Sequence, residues 1–237
     1  MIQISVEKKL ILDEDILNSL STGSPILIFD DFSREGETDI FFSAENIKAE
    51  DIAFLRNYGG GMIFLASDYS ACSNLGLPFY QDLYSCVSQQ NENYKFLQTM
   101  LSHSLPYDSR SSFSLFINHK DTFTGITDND RALTSQSFAK LIKNYSGSNG
   151  VNELATEFRI PGHVPVCIAD SNLLKGRRGH TELIVSLLNH VGLTPVAVGC
   201  EMLSDDGNAL SLTESRTWAK EQGYLFLEGR QIMERCL

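Results

Sequence analysis

The chain is poor in basic residues and in tryptophan, and it has no long apolar run. Against 30 Asp and Glu it carries only 19 Lys and Arg, a formal net charge of −11. A nucleic-acid interface or an anionic membrane surface calls for clustered positive charge, so the balance counts against both partners. No stretch approaches the roughly 18 consecutive apolar residues of a membrane-spanning helix. The start, Met1-Ile-Gln-Ile-Ser-Val-Glu-Lys-Lys9, lacks the basic-then-apolar order of a secretory leader. Five cysteines (Cys72, Cys86, Cys167, Cys200 and Cys236) are scattered, odd in number and never spaced Cys-x-x-Cys. They read as reduced thiols of a cytoplasmic protein, most of them core fillers.

What is present is material for a sizeable core, 42% apolar residues against 21% charged. Apolar runs at 25–29, 39–44, 62–66, 112–118, 164–169, 194–200 and 224–227 predict strands. Patterning and stop signals predict helices at 13–20 (capped by Asp13), 50–58, 69–74, 128–145 (capped by Asp128), 181–191 and 211–223, the last opened by a Ser211–Glu214 capping box. Alternation places Phe113, Leu115 and Ile117 on one strand face. Pro165 suggests an edge or first-residue position. Residues 82–110, rich in Ser, Gln and Asn, predict a long surface excursion. Ser146-Gly-Ser-Asn-Gly150 reads as a loop within a domain. Strands and helices alternate without internal repeats, so the expectation is one α/β (α+β) domain over residues 1–237, a mixed sheet packed by helices on its faces.

Two charged stretches stand out. Asp30 to Asp39 holds five carboxylates (Asp30, Asp31, Glu35, Glu37, Asp39) and one guanidinium, Arg34, between two predicted core strands. Charge this dense at a strand end is either a solvated acidic loop or a site where the acids are paired or bind a cation. Lys175-Gly-Arg-Arg-Gly-His-Thr181 places three cations just ahead of a helix. It is either a solvated basic turn or a phosphate site, and cations before a helix N-terminus need an anion to make electrostatic sense. His180 is a candidate metal ligand or acid–base group, although an isolated His is more often structural. Glu201 ends a predicted buried strand. Asp128-Asn-Asp130 lacks the spaced acids of a calcium loop, and Gly59-Gly-Gly61 carries no dinucleotide fingerprint. These fragments point to a metal-assisted reaction on a small phosphorylated molecule.

Five segments in order resemble one family. They are Asp30-Asp-Phe-Ser-Arg-Glu-Gly-Glu-Thr-Asp39, Phe123-Thr-Gly-Ile-Thr-Asp-Asn-Asp-Arg-Ala132, Arg159-Ile-Pro-Gly-His-Val164, Arg178-Gly-His-Thr-Glu182 and Cys200-Glu-Met202. Together they look like 3,4-dihydroxy-2-butanone 4-phosphate synthase of riboflavin biosynthesis, most similar to its archaeal members. The resemblance implies a homodimer with the site near the subunit interface, and conversion of D-ribulose 5-phosphate to L-3,4-dihydroxy-2-butanone 4-phosphate and formate. It implies Mg²⁺, with Mn²⁺ also admitted, held by Glu35 and His180. Substrate-binding positions by the same resemblance are Arg34, Glu35, Asp39, Thr124, Thr127, Arg177, Arg178, Gly179, His180, Thr181 and Glu201. Asp30, Glu37 and Glu201 are its candidate proton carriers. Phe32 and Ser33 stand where members commonly have further acids, and Phe64 where many have a cysteine. Those departures motivate a second reading, a non-catalytic phosphosugar- or nucleotide-binding homologue. A third, a metal-dependent sugar-phosphate isomerase, would release no formate.

Overall fold

The computed structural model describes residues 11–145 and 150–237. In chain order the elements are α1 (Asp13–Ser21), β1 (Ile26–Phe29), β2 (Thr38–Ser43), α2 (Ala49–Tyr58), β3 (Phe64–Ser67), α3 (Tyr69–Asn74), α4 (Tyr80–Gln90), α5 (Phe96–Leu101), β4 (Phe113–His119), α6 (Asp128–Asn144), α7 (Gly150–Glu157), β5 (Phe158–Ile168), α8 (His180–His190), β6 (Val196–Glu201), α9 (Leu212–Gln222), β7 (Leu225–Glu228) and α10 (Gly229–Cys236). Most of the linker-like stretch from Ser146 lies outside the described residues. Among those described, no helix is long and apolar enough to cross a membrane.

The strands form one seven-stranded sheet in the order β4-β5-β3-β6-β2-β1-β7. Two pairings, β1 with β7 and β3 with β5, are parallel, and the others are antiparallel. Helices cover both faces, so the central strands are buried on both sides and read as unbroken apolar runs. Side-chain alternation divides the interior in two. Leu27, Ile40 and Phe42 join Ile52, Leu55 and Phe138 on the α2 and α6 side. Ile26, Ile28 and Phe41 join Ile16, Leu183 and Ile232 on the side of α1, α8 and α10. Helix α8 is buried from His180 through Leu188, beyond the single apolar face that its leucines mark.

Several expectations are corrected. The 82–110 stretch is largely helical, because α4 and α5 pack on each other and only the segment after Leu101 is irregular. Asp13 does not cap α1; Leu12 is the cap residue, and its N–H donates to the Asp15 carboxylate at 2.9 Å. Thr127, not Asp128, caps α6, its hydroxyl accepting from the Asp130 N–H at 3.1 Å. Pro165 lies inside β5, on the second strand of the sheet. There it faces Phe116 beside a bulge, and pairing with β3 begins one residue later at Val166. Its missing N–H therefore falls beside the irregularity in the β4 pairing and before the β3 pairing begins. The same bulge rotates β4, so Phe113 packs with the α8 side while Leu115 and Ile117 pack with the other. Helix α10 follows β7 with no anticipated signal. Its buried Ile232 packs against the α8 side of the core.

Candidate functional site

At one end of the sheet the C-terminus of β1, the start of β2, the end of β6 and the N-terminus of α8 converge. The Asp30–Glu37 connection is shaped by Asp30, which is almost fully buried. Its carboxylate accepts the N–H groups of Glu35, Gly36 and Glu37 at 3.1, 3.0 and 3.1 Å. Gly36 sits at φ +70°, the left-handed conformation that bends the chain back onto that carboxylate. The fold then places Glu35 against His180, whose Nδ1 lies 3.3 Å from Glu35 Oε2 and whose Nε2 lies 3.3 Å from the Glu37 carbonyl.

Beyond Glu37, Asp39 sits on β2 directly opposite Glu201 on β6. The Asp39 carboxylate is wholly buried, 3.7 Å from His180 Nε2, and its Oδ1 has no hydrogen-bond partner among the described residues. Glu201 is aimed by a close approach of backbone. Its Oε2 accepts the Met62 N–H at 2.7 Å, and a Cβ on Gly61 would stand 2.3 Å from that same oxygen. The glycine triplet thus closes α2 through Gly59 and lets the chain pass over Glu201 at Gly61.

Burial works against charge on His180, but Asp39, Glu35 and Asp30 outweigh it and push the imidazole up to about 10. The ring is then an imidazolium, donating from one nitrogen to Glu35 and from the other to the Glu37 carbonyl. For Glu35, burial is overcome by the bond to His180, which holds the carboxyl below its ordinary range. Burial and the neighbouring Glu35 raise Glu37. Burial raises Asp39 well above an ordinary carboxylate, with His180 opposing and Glu201 and Glu35 reinforcing. A lowered carboxyl and two raised ones therefore stand side by side in one site, the spread of proton affinities on which general acid–base chemistry draws.

Positive charge comes from Arg177 and Arg34. Glu182, wholly buried in the first turn of α8, accepts Arg177 Nη1 at 2.7 Å, the Gly179 N–H at 3.1 Å and the Asp170 N–H at 2.8 Å. Asp108, in the segment between α5 and β4, accepts from Arg34 Nη1 and Nη2 at 3.4 and 3.3 Å and from Arg177 Nε. Sequence reading assigned a role to neither acid. Asp108 stands 74 residues from Arg34 in the polar stretch read as surface excursion, and no local pattern connects them.

Two cavities flank these arginines. One, of about 180 Å³, is lined by Glu35, Asp39, His180, Thr181, Glu201 and Arg177 among others. The second, of about 420 Å³, lies behind the acidic loop and is lined by Ser33, Arg34, Asp108, Lys175, Arg177 and Arg178. Thr124 and Thr127 reach neither. Thr124 bonds Asp130, and Thr127 caps α6 beyond the far end of β4. One oxygen each from Asp30 and Glu35 and one nitrogen from His180 lie within 4.8 Å of one another, a set that could hold a divalent ion. Asp30 already accepts three backbone N–H groups, so Glu35 and His180 are the freer ligands, and waters would complete the shell that Mg²⁺ prefers.

Fold and cavity together define an α/β protein whose site combines a carboxylate–imidazole ligand set with paired arginines for an anion. Residues 14–235 match the family model described as 3,4-dihydroxy-2-butanone 4-phosphate synthase. The chain is 43% identical over 222 residues to the protein of that name from Methanosarcina mazei, covering 93% of this chain and 89% of that one. With the one from Archaeoglobus fulgidus it shares 40% over 227 residues, covering 95% and 94%. The crystal structure of the Candida albicans synthase superposes with a TM-score of 0.70 at 28% identity, covering 95% of this chain and 97% of that one. A synthase crystallised in complex with two magnesium ions superposes at the same TM-score, 0.70, with 22% identity and 93% and 94% covered. The chain belongs to the 3,4-dihydroxy-2-butanone 4-phosphate synthase family.

Proposed function

We propose that the protein is a metal-dependent lyase that converts D-ribulose 5-phosphate to L-3,4-dihydroxy-2-butanone 4-phosphate and formate in riboflavin biosynthesis. The observation that carries this reading is the meeting of Glu35, His180, Asp39 and Glu201 around one cavity with Arg177 at its rim. Glu35 and His180 fit a divalent ion, Mg²⁺ or Mn²⁺, and when bound it supplies the positive charge that makes a ketose C–H acidic. Arg34 and Arg177 take the anionic end of the substrate and fix its direction. Glu37 and Asp39, both raised, are the groups suited to exchange protons with the substrate, and Glu201, locked against the Gly61–Met62 backbone, faces the same space. Asp30 keeps the acidic loop in shape. Five free thiols fit a reducing, cytosolic compartment.

The partner is a second copy of this single-domain chain. Thr124 and Thr127 lie away from the cavity in one protomer, and the turn that carries them exposes Phe123 (94%) and Ile126 (51%). A homodimer that lays this turn against the neighbouring cavity reconciles their place with the substrate-binding role the family likeness implies. The test is incubation of the purified protein with ribulose 5-phosphate and Mg²⁺, with and without EDTA. Formate release that EDTA abolishes is expected; no formate with any divalent ion sinks the reading. Mixing H180S with T127A, each inactive alone, restores part of the activity if sites are shared across the dimer.

A further inference from the structure

The Asp108 carboxylate is the feature that the reaction leaves unexplained. It comes from a segment, residues 102–112, that ties α5 to β4 and lays Leu105 and Tyr107 over the smaller cavity. Among the described residues, no backbone group of 104–111 pairs with another backbone group. The segment is held by side chains: Asp108 on the two arginines, Arg110 stacked 3.8 Å above the Phe79 ring, and the Tyr107 ring 5.7 Å from the Arg34 guanidinium. A single oxygen, Asp108 Oδ2, takes both Arg34 Nη groups and Arg177 Nε. Two guanidinium groups converging on one anionic oxygen form a donor set that phosphate oxygens also satisfy. Although burial opposes it, the Arg177 charge holds the Asp108 carboxyl below its ordinary range, so the occupant is an anion.

Arg177 forms the wall shared by the two cavities, with Asp108 and Arg34 on the side of the larger. The smaller, at about 180 Å³, falls short of the roughly 300–1,000 Å³ of ordinary ligand sites. The larger holds Lys175 and Arg178 but neither Glu35 nor His180. Each is half of a phosphosugar site, one for the polar carbon chain and one for the phosphate. We propose that Asp108 is a built-in stand-in for the substrate phosphate, a specificity-determining residue that an incoming dianion must displace, opening the wall and releasing the 102–112 strap. This rests on the reading that Arg34 and Arg177 receive the anionic group. A neutral sugar offers nothing to replace Asp108 on the arginines, so the site stays divided unless the ligand is phosphorylated.

The experiment is calorimetric binding of inorganic phosphate, in EDTA, to wild type, D108N and D108A, with limited trypsin digestion of wild type at Arg110 as a second readout. Removing the competing charge is expected to tighten phosphate binding at least about tenfold in both variants. The Michaelis constant for ribulose 5-phosphate falls with it. In wild type, saturating phosphate speeds cleavage after Arg110, whose side chain is otherwise held on the Phe79 ring. Unchanged or weaker phosphate binding in the isosteric D108N, or unchanged or slowed cleavage after Arg110, overturns the proposal. The digestion needs no variant and so survives a D108A that fails to fold. Formate release by wild type keeps the proposed function whatever Asp108 does. Tighter phosphate binding without any formate keeps Asp108 in this role and removes the reaction.

Discussion

Glu182 carries no assigned chemistry, yet replacing it should disturb the site more than replacing exposed residues nearer the substrate. Its two oxygens serve three donors, the Asp170 and Gly179 N–H groups and Arg177 Nη1, with no solvent to substitute. A glutamine has the same shape but only one acceptor end. If its carbonyl keeps Gly179 and Arg177, its amide faces the Asp170 N–H donor to donor, leaving a buried amide unmet at about 1–3 kcal/mol. The Arg177 bond also loses its charge assistance, roughly another 1 kcal/mol. Glu182→Gln should therefore cost about 2–4 kcal/mol. At about 2–4 °C per kcal/mol for a chain of this size, the melting temperature drops on the order of 4–16 °C. Glu182→Ala leaves Arg177 with Asp108 as its carboxylate partner and should cost about 3–5 kcal/mol. Differential scanning calorimetry in EDTA reads both without interference from bound metal. A Glu182→Gln melting point within about 2 °C of wild type would mean the group is not an ionised acceptor, and the reasoning fails.

Other expectations follow from the same geometry. Glu35→Gln and His180→Ser should each lower formate release by more than the roughly 10–100-fold that loss of a ligand's outer partner costs, with the fold intact by circular dichroism; near-normal rates refute the ligand pair. In metal-free protein His180 is raised from 6.5 to about 10. A folded value above the unfolded one gives stability that is full below about 6.5 and lost as pH rises through about 10. Urea titrations from pH 7 to 10 should show a decline of at most about 1.4 kcal/mol per pH unit from this group. Glu37 and Asp39, also raised, act with the same sign at lower pH. A His180→Ser profile as steep as wild type would refute the assignment. Gly61→Ala puts a methyl where Glu201 Oε2 lies and should cost about 1–3 kcal/mol while cutting activity, because Glu201 must turn out of the cavity; full activity would mean Glu201 has no fixed place there.

The sheet was readable because its central strands are buried on both faces, and unbroken apolar runs such as Ile26–Phe29 admit little else. The Asp30–Asp39 and Arg177–Thr181 stretches were readable as candidate sites because their charge conflicts with the burial of the strand and helix beside them. Two kinds of feature were not. The β4–β5 bulge reverses which face Phe113 takes, and a bulge leaves no mark in a strictly alternating pattern. Asp108 was invisible because its meaning lies in guanidinia 74 and 69 residues away. Helix α5, lying between polar stretches, exposes Phe96 and Met100, so it lacks the apolar stripe that would announce a helix.

The way Asp30 gathers the amides of Glu35, Gly36 and Glu37 has a practical corollary. That carboxylate ties the base of the loop into a ring, and the tip, Asp31 to Ser33, hangs outside it. Phe32 is 77% exposed, and among the described residues Ser33 bonds Asp31. The tip thus tolerates a phenylalanine and a serine while the frame that aims Glu35 stays put. It is also a place to attach a fluorophore, at Phe32→Cys, that would report on events at the neighbouring arginines without entering the chemistry.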